Sequence, residues 1–188
     1  MLSRMWHQFK AILRDIISSI SKRIYWLIYL RYIKKINHKN ALVIFDLDNT
    51  IANTFPYLQN RNLKEVYSKV TIHSGMTNKL EECLKSKKKV IILSARSFKY
   101  HSITKNWINR NLSKIQEIPL FLVPLAEDKL PYLNKALEHT NRITYYDDLS
   151  YNHENGEVKF YENLITQVKQ LPINYIGYNE INNINNIK

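Results

Sequence analysis

Short apolar runs at regular intervals constrain this chain more than anything else in it. "ALVIF" (41–45) and "KVIILSA" (89–95) read as strands buried on both faces, "IPLFLV" (118–123) as a third and "RITYY" (142–146) as a fourth. Between and around them lie stretches with helical spacing: "NRNLKEVYSKV", "MTNKLEECLKSKK", "KYHSITKNWINRNLSKI" with Tyr100, Ile103, Trp107 and Ile108 in step, "KLPYLNKALEH" and "VKFYENLITQVKQL". "INYIGY" (173–178) supplies a fifth strand. Strands alternating with helices predict an α/β fold, a Rossmann-like, mostly parallel sheet with helices on both faces. In such a sheet a ligand sits beyond the carboxyl ends of the strands, where strand order reverses.

The first forty residues follow another pattern. Apolar residues from Leu2 through Phe9, Ile16, Ile20 and Ile24 to Ile28 recur at steps of three and four, the period of one helix face. This segment carries Arg4, Lys10, Arg14, Lys22, Arg23, Arg31, Lys34, Lys35 and Lys39 against Asp15 alone, a net 9 − 1 = 8 of the chain's +12. Its uninterrupted apolar run, Ile24 to Leu30, is too short to span a bilayer, which takes about 20 residues, and no signal-peptide pattern is present. Two readings stay open. One is an amphipathic anchor lying on an anionic membrane surface through residues 1–36, with Trp6, Tyr25, Trp26 and Tyr29 at the headgroups. The other is a helix packed on the protein's own core or on a partner helix. Nucleic acid fits the helix less well, because its basic residues are interleaved with Ile rather than gathered for phosphates.

The expected organisation is therefore a basic helix (1–40), an α/β domain (41–178) and a disordered tail, "NEINNINNIK" (179–188), with the first boundary at Asn37–Asn40. A chain of 188 residues supports one domain with a substantial core. The single cysteine, Cys83, rules out an internal disulfide framework and makes the cytoplasm the default compartment. The histidines show no zinc-ligand pairing.

Chemistry gathers at the strand ends. The first strand delivers Asp46 and Asp48, with Thr50 close behind; the second delivers Ser94 and then Arg96. Lys129 opens the helix after the third, and Asp147 and Asp148 follow the fourth. Carboxylates converging on one rim repel each other unless a cation lies between them, and hard oxygen ligands suit magnesium.

These residues resemble the signatures of the haloacid dehalogenase superfamily of phosphotransferases: "DLDNT" (46–50), the serine of "IILSAR", Lys129 of "AEDKLPYL", and "YYDD" (145–148), in that order over roughly residues 41 to 178. The resemblance implies a magnesium-dependent phosphatase of that fold. Asp46 would be the nucleophile, forming an aspartyl-phosphate, and Asp48 the general acid and base. Ser94 would bind the transferred phosphoryl group, and Lys129 would neutralise charge on its oxygens and hold Asp46. Magnesium would take the Asp46 carboxylate, the Asp48 carbonyl and an acid of the last signature, with Asp147 favoured as direct ligand and Asp148 nearby. Thr50 and Arg96 are further substrate-binding candidates, although Arg96 serves equally as the partner of a carboxylate. Asn152 and His153 lie in the following loop.

Asp48 argues for a phosphatase or mutase, since pumps and dehalogenases of this superfamily lack the second aspartate. The gaps from Thr50 to Ser94 and from Arg96 to Lys129 leave no room for a sizeable cap, so an open site and a large phosphorylated substrate are expected. With the basic helix, that suggests a membrane- or glycan-linked phosphomonoester met at the inner face of the cell membrane. A polynucleotide phosphatase is the alternative enzyme, and a silent, membrane-tethered phosphate-binding module is the alternative outside catalysis.

Overall fold

The computed structural model describes residues 2–57, 62–112, 117–151 and 157–187; within 2–15 only the side chains of Trp6 and Phe9 are described. Asn152 and His153 lie outside the described residues. In chain order, α1 (Leu2–Ile33) leads to β1 (Leu42–Phe45), the short β2 (Ala52–Asn53), α2 (Leu63–Lys69), β3 (Thr71–Ile72), α3 (Ser74–Lys85) and β4 (Lys89–Ser94). There follow α4 (His101–Asn111), β5 (Leu120–Leu122), α5 (Lys129–Leu137), β6 (Ile143–Tyr146), β7 (Ser150–Tyr151), β8 (Lys159–Phe160), α6 (Glu162–Lys169), β9 (Asn174–Ile176) and α7 (Tyr178–Asn185).

The fold is α/β. Its centre is a five-stranded sheet in the order β5-β4-β1-β6-β9, every pairing parallel. All four residues of β1 are buried, which explains why "LVIF" carries no polar alternation. Because successive strand residues face opposite ways, Val43 and Phe45 join one core with Met76, Leu80 and Trp107 of α3 and α4. Leu42 and Ile44 join another with Tyr29 and Ile33 of α1, Tyr132 and Leu133 of α5, and Leu164 of α6. Helices thus cover both faces. The chain moves from β1 to β4 and β5 on one side, then crosses to β6 and β9 on the other, so strand order reverses between β1 and β6.

α1 is one 32-residue helix, uninterrupted because no Gly or Pro falls within it. It runs alongside α5 in the same direction. Lys22 pairs with Asp128 at the start of α5, Trp26 meets the Tyr132 ring edge-on at 5.0 Å, and the Tyr29 hydroxyl donates to the Tyr132 carbonyl at 2.7 Å. Tyr29 and Ile33 are fully buried, so the end of this helix belongs to the domain core. The expected boundary at Asn37–Asn40 is only a turn, closed by Asn40 N donating to the Asn37 carbonyl. No helix among the described residues is long and apolar enough to cross a membrane.

The C-terminal segment differs from the disordered tail expected of it. Residues 178–185 form α7, which buries Ile181 completely against the α3 side of the sheet. Isoleucines at 181 and 184 fall at the spacing of a single helical face, and an Asn-rich composition concealed that face. Gly75 in α3 lets α7 approach: a Cβ there would lie 1.9 Å from the Ile184 carbonyl oxygen. Asn185 then ties the two helices to the first signature, its Oδ1 accepting from Met76 N at 2.8 Å and its Nδ2 donating to the Thr50 carbonyl at 3.3 Å. A second difference lies in the segment beginning "VKFY", expected to be helical throughout. Lys159–Phe160 instead pair antiparallel with β7, and the helix starts only at Glu162.

Candidate active site

Adjacent parallel strands place the acids. Asp46 follows β1 and its N–H donates to the Tyr146 carbonyl of β6 at 2.8 Å, which holds it in the ladder beside Asp147 and Asp148. One carboxylate oxygen from each of Asp46, Asp147 and Asp148 lies within 4.8 Å of the others, and all three residues are buried. After Asp46 the backbone turns sharply. The Leu47 carbonyl accepts from the N–H groups of Ile51 and Ala52 at 2.9 and 2.7 Å, and Asn49 adopts a left-handed φ of 55°, a conformation asparagine tolerates better than most residues.

Lys129 occupies the first turn of α5, only 3% exposed, with Nζ donating to Asp46 Oδ1 at 2.9 Å and to Asp147 Oδ2 at 2.6 Å. Burial alone would lower its pKa, but the two carboxylates hold it above the ordinary lysine value. One cation does not neutralise three acids. Burial raises Asp46 to about 7, with Lys129 opposing the rise and Asp147 and Asp48 adding to it. Burial also raises Asp148 well above the carboxylate range, reinforced by Asp147 and Asp46. Such a cluster gains most from a further positive charge, and its oxygen donors fit a hard divalent cation.

The two acids of the last signature are not equivalent. Asp147 accepts from Lys129 and the Tyr145 hydroxyl on Oδ2 and from Leu149 N on Oδ1 at 3.0 Å. Asp148 is held by neutral groups, the hydroxyls of Ser150 and, at 3.5 Å, Thr50. Thr50 was a substrate-binding candidate on sequence grounds; it is fully buried, and its hydroxyl orients Asp148.

Arg96 presents its fork to Asp48, Nε to Oδ2 at 2.8 Å and Nη2 to Oδ1 at 2.7 Å. Its guanidinium lies 4.0 Å from the Tyr67 ring centroid of α2, and Nη1 donates to Thr104 at 3.3 Å. Of the alternatives open for Arg96, the carboxylate partner is the one this structure contains. Both Asp48 carboxylate oxygens are thereby taken up by the fork, while the oxygens that converge are those of Asp46, Asp147 and Asp148. Ser94, the last residue of β4, is fully buried, and its hydroxyl has no hydrogen-bond partner among the described residues. A buried hydroxyl without a partner is costly, and a ligand oxygen would remove that cost.

Sequence reasoning assigned no role to Tyr145, Ser150, Tyr67 or Thr104. Tyr145 had a signal: two residues before Asp147 on a strand, it shares that residue's side of the sheet. Tyr67 had none, because α2 meets Arg96 only in the folded chain. Beside Asp148 lies a cavity of about 610 Å³ whose walls include Phe160, Tyr175 and Tyr178. No protein-family model matches this chain, and no curated protein matches it.

Proposed function

We propose that this chain is a magnesium-dependent phosphomonoester hydrolase of the haloacid dehalogenase type, working through an aspartyl-phosphate on Asp46. The observation that carries the reading is the three-acid cluster at the strand-order reversal, with Lys129 bridging two of its members and the unpartnered Ser94 hydroxyl on the neighbouring strand. Asp46, Asp147 and Asp148 would hold the metal. Of the last two, Asp148 has oxygens held only by neutral hydroxyls, whereas Asp147 is already paired with Lys129; this reverses the preference for Asp147 drawn from the sequence. Bound there, magnesium supplies positive charge for the phosphoryl oxygens.

The residues divide the work as follows. An Asp46 oxygen attacks phosphorus, the bond to the ester oxygen breaks, and Asp48 delivers a proton to the departing alcohol. Water then attacks the phosphorus of the aspartyl-phosphate, Asp48 takes its proton, and inorganic phosphate leaves with Asp46 regenerated. Lys129 keeps Asp46 oriented and offsets charge on the transferred group, and Ser94 donates to one of its oxygens. Asp48 reaches substrate only when the Arg96 fork opens, and a phosphoryl oxygen is a natural acceptor for the released guanidinium. Among the described residues, the segment between β2 and β3 contributes only a single 3-10 turn, Phe55–Tyr57, and the seven-residue α2, consistent with an open site and a large substrate.

The test is inorganic phosphate release from aryl phosphate, sugar phosphates, 3′- and 5′-phosphorylated oligonucleotides and a phospholipid in vesicles, with and without magnesium. Release that requires magnesium and disappears in Asp46→Asn is expected. A folded protein that binds phosphate without releasing it from any ester would replace the enzyme with a phosphate-binding module. Preference for oligonucleotides would make it a polynucleotide phosphatase.

A further inference from the structure

We infer that α1 lies along an anionic bilayer surface, with its outward apolar row in the lipid and the mouth of the acidic site opening along that surface. Docking leaves one side of the helix outside the protein. Tyr29 and Ile33 are buried in the core, whereas Ile17, Ile20, Ile24, Leu27 and Ile28 are each at least half exposed. Steps of three and four make these five a continuous row on the side opposite the core. Trp6 and Phe9, both more than half exposed and stacked at 5.9 Å, continue it toward the start of the helix.

Charge selects what covers the row. Arg23 sits at its flank and Arg31, Lys34 and Lys35 close its end, all exposed. Residues 1–40 hold nine cations and one acid, Asp15. A second copy would bring the same cations against themselves. Nucleic acid offers phosphates but no apolar layer to receive isoleucines. An interface of anionic headgroups over acyl chains supplies both.

The direction of the helix supplies the second half. α1 meets Asp128, at the carboxyl rim of the sheet, through Lys22, and descends from there beside α5. Its earlier residues, Leu2–Ser21, therefore continue past the rim, a helical length of roughly 30 Å at 1.5 Å per residue. The rim bearing Asp46, Asp148 and Lys129 is the end of the domain from which this stretch projects, so a membrane along the stretch would hold its phosphates at that end.

The full chain is tested by co-sedimentation with vesicles of phosphatidylcholine alone and of phosphatidylcholine mixed with phosphatidylglycerol. Binding to the mixed vesicles that weakens with added salt is expected. Arg31→Glu, Lys34→Glu and Lys35→Glu together should weaken it by roughly 100-fold or more, given the attraction each basic residue feels at such a surface. Ile20→Glu with Leu27→Glu should abolish it while circular dichroism and melting are unchanged. Absence of binding to the mixed vesicles overturns the inference, as does binding indifferent to both sets of substitutions. A solution dimer that Leu27→Glu dissociates would assign the row to self-pairing instead. The assay reads no catalysis, and Asp46→Asn should bind vesicles like the parent chain, so this inference and the phosphatase reading fail separately.

Discussion

Replacing the nucleophile candidate should stabilise the metal-free protein. In the folded state Asp46 titrates near 7 rather than its ordinary 3.8. An acid whose pKa rises on folding favours the folded state fully below its unfolded value and loses that contribution as pH climbs through the folded one. Metal-free stability should therefore fall between about pH 4 and pH 7 and then level off. Three pH units at ~1.36 kcal/mol each give a loss of about 4 kcal/mol as an upper figure. Asp46→Asn keeps the position uncharged at every pH and leaves an oxygen for Lys129, whose attraction at 2.9 Å is already counted in that upper figure. A net gain of about 2 kcal/mol at pH 8 is expected, which for a chain of this size raises Tm by roughly 4–8 °C. Thermal melts in EDTA at pH 4 and pH 8 read it directly: the two proteins should differ little at the lower pH and separate at the higher. Magnesium should stabilise the parent more than the variant. If Asp46→Asn is destabilising at pH 8, attraction to Lys129 outweighs burial and repulsion, and the cluster has no need of a second cation.

Other perturbations separate the remaining parts. Ser94→Ala should lower kcat/KM for a phosphomonoester by about 10- to 100-fold without lowering Tm, because the hydroxyl has no partner to lose among the described residues; an unchanged kcat/KM would remove it from the site. Arg96→Met should cost roughly 3–5 kcal/mol in urea unfolding, since it strips a part-buried carboxylate of its fork and leaves Thr104 and Tyr67 facing a neutral chain; a loss below about 1 kcal/mol would mean water already stabilises Asp48. Gly75→Ala should cost about 1–3 kcal/mol by pushing α7 off α3, and a neutral result would show that α7 packs loosely.

The parallel sheet was legible because β1 and the Val90–Leu93 run of β4 are buried on both faces, which strips those runs of polar residues. The acids were legible for the related reason that charge at the end of such a strand needs a purpose. Side-chain pairings were not, since they depend on contacts between distant segments: Arg96 with Asp48, Thr50 with Asp148, and Lys129 choosing Asp147 as well as Asp46. α7 was missed because two isoleucines among asparagines give weak periodicity, and only the groove beside Gly75 shows what they fill. The two readings of α1 were both partly present in the sequence. Its period marked an apolar face, but the helix has a second one, aromatic and shorter, which reaches the core.

The Asn185 amide joins residues separated by most of the chain. During synthesis the "DLDNT" segment emerges early, yet the group that ties its Thr50 carbonyl to the start of α3 arrives only with the last helix. The loop carrying the two leading aspartates is thus finished late, after every strand of the sheet has been made. A nascent or truncated chain ending before residue 185 retains all the acids, the lysine and the serine while leaving that loop without its final tether. Possession of the full set of site residues and possession of the assembled site are, in this protein, separate events in time.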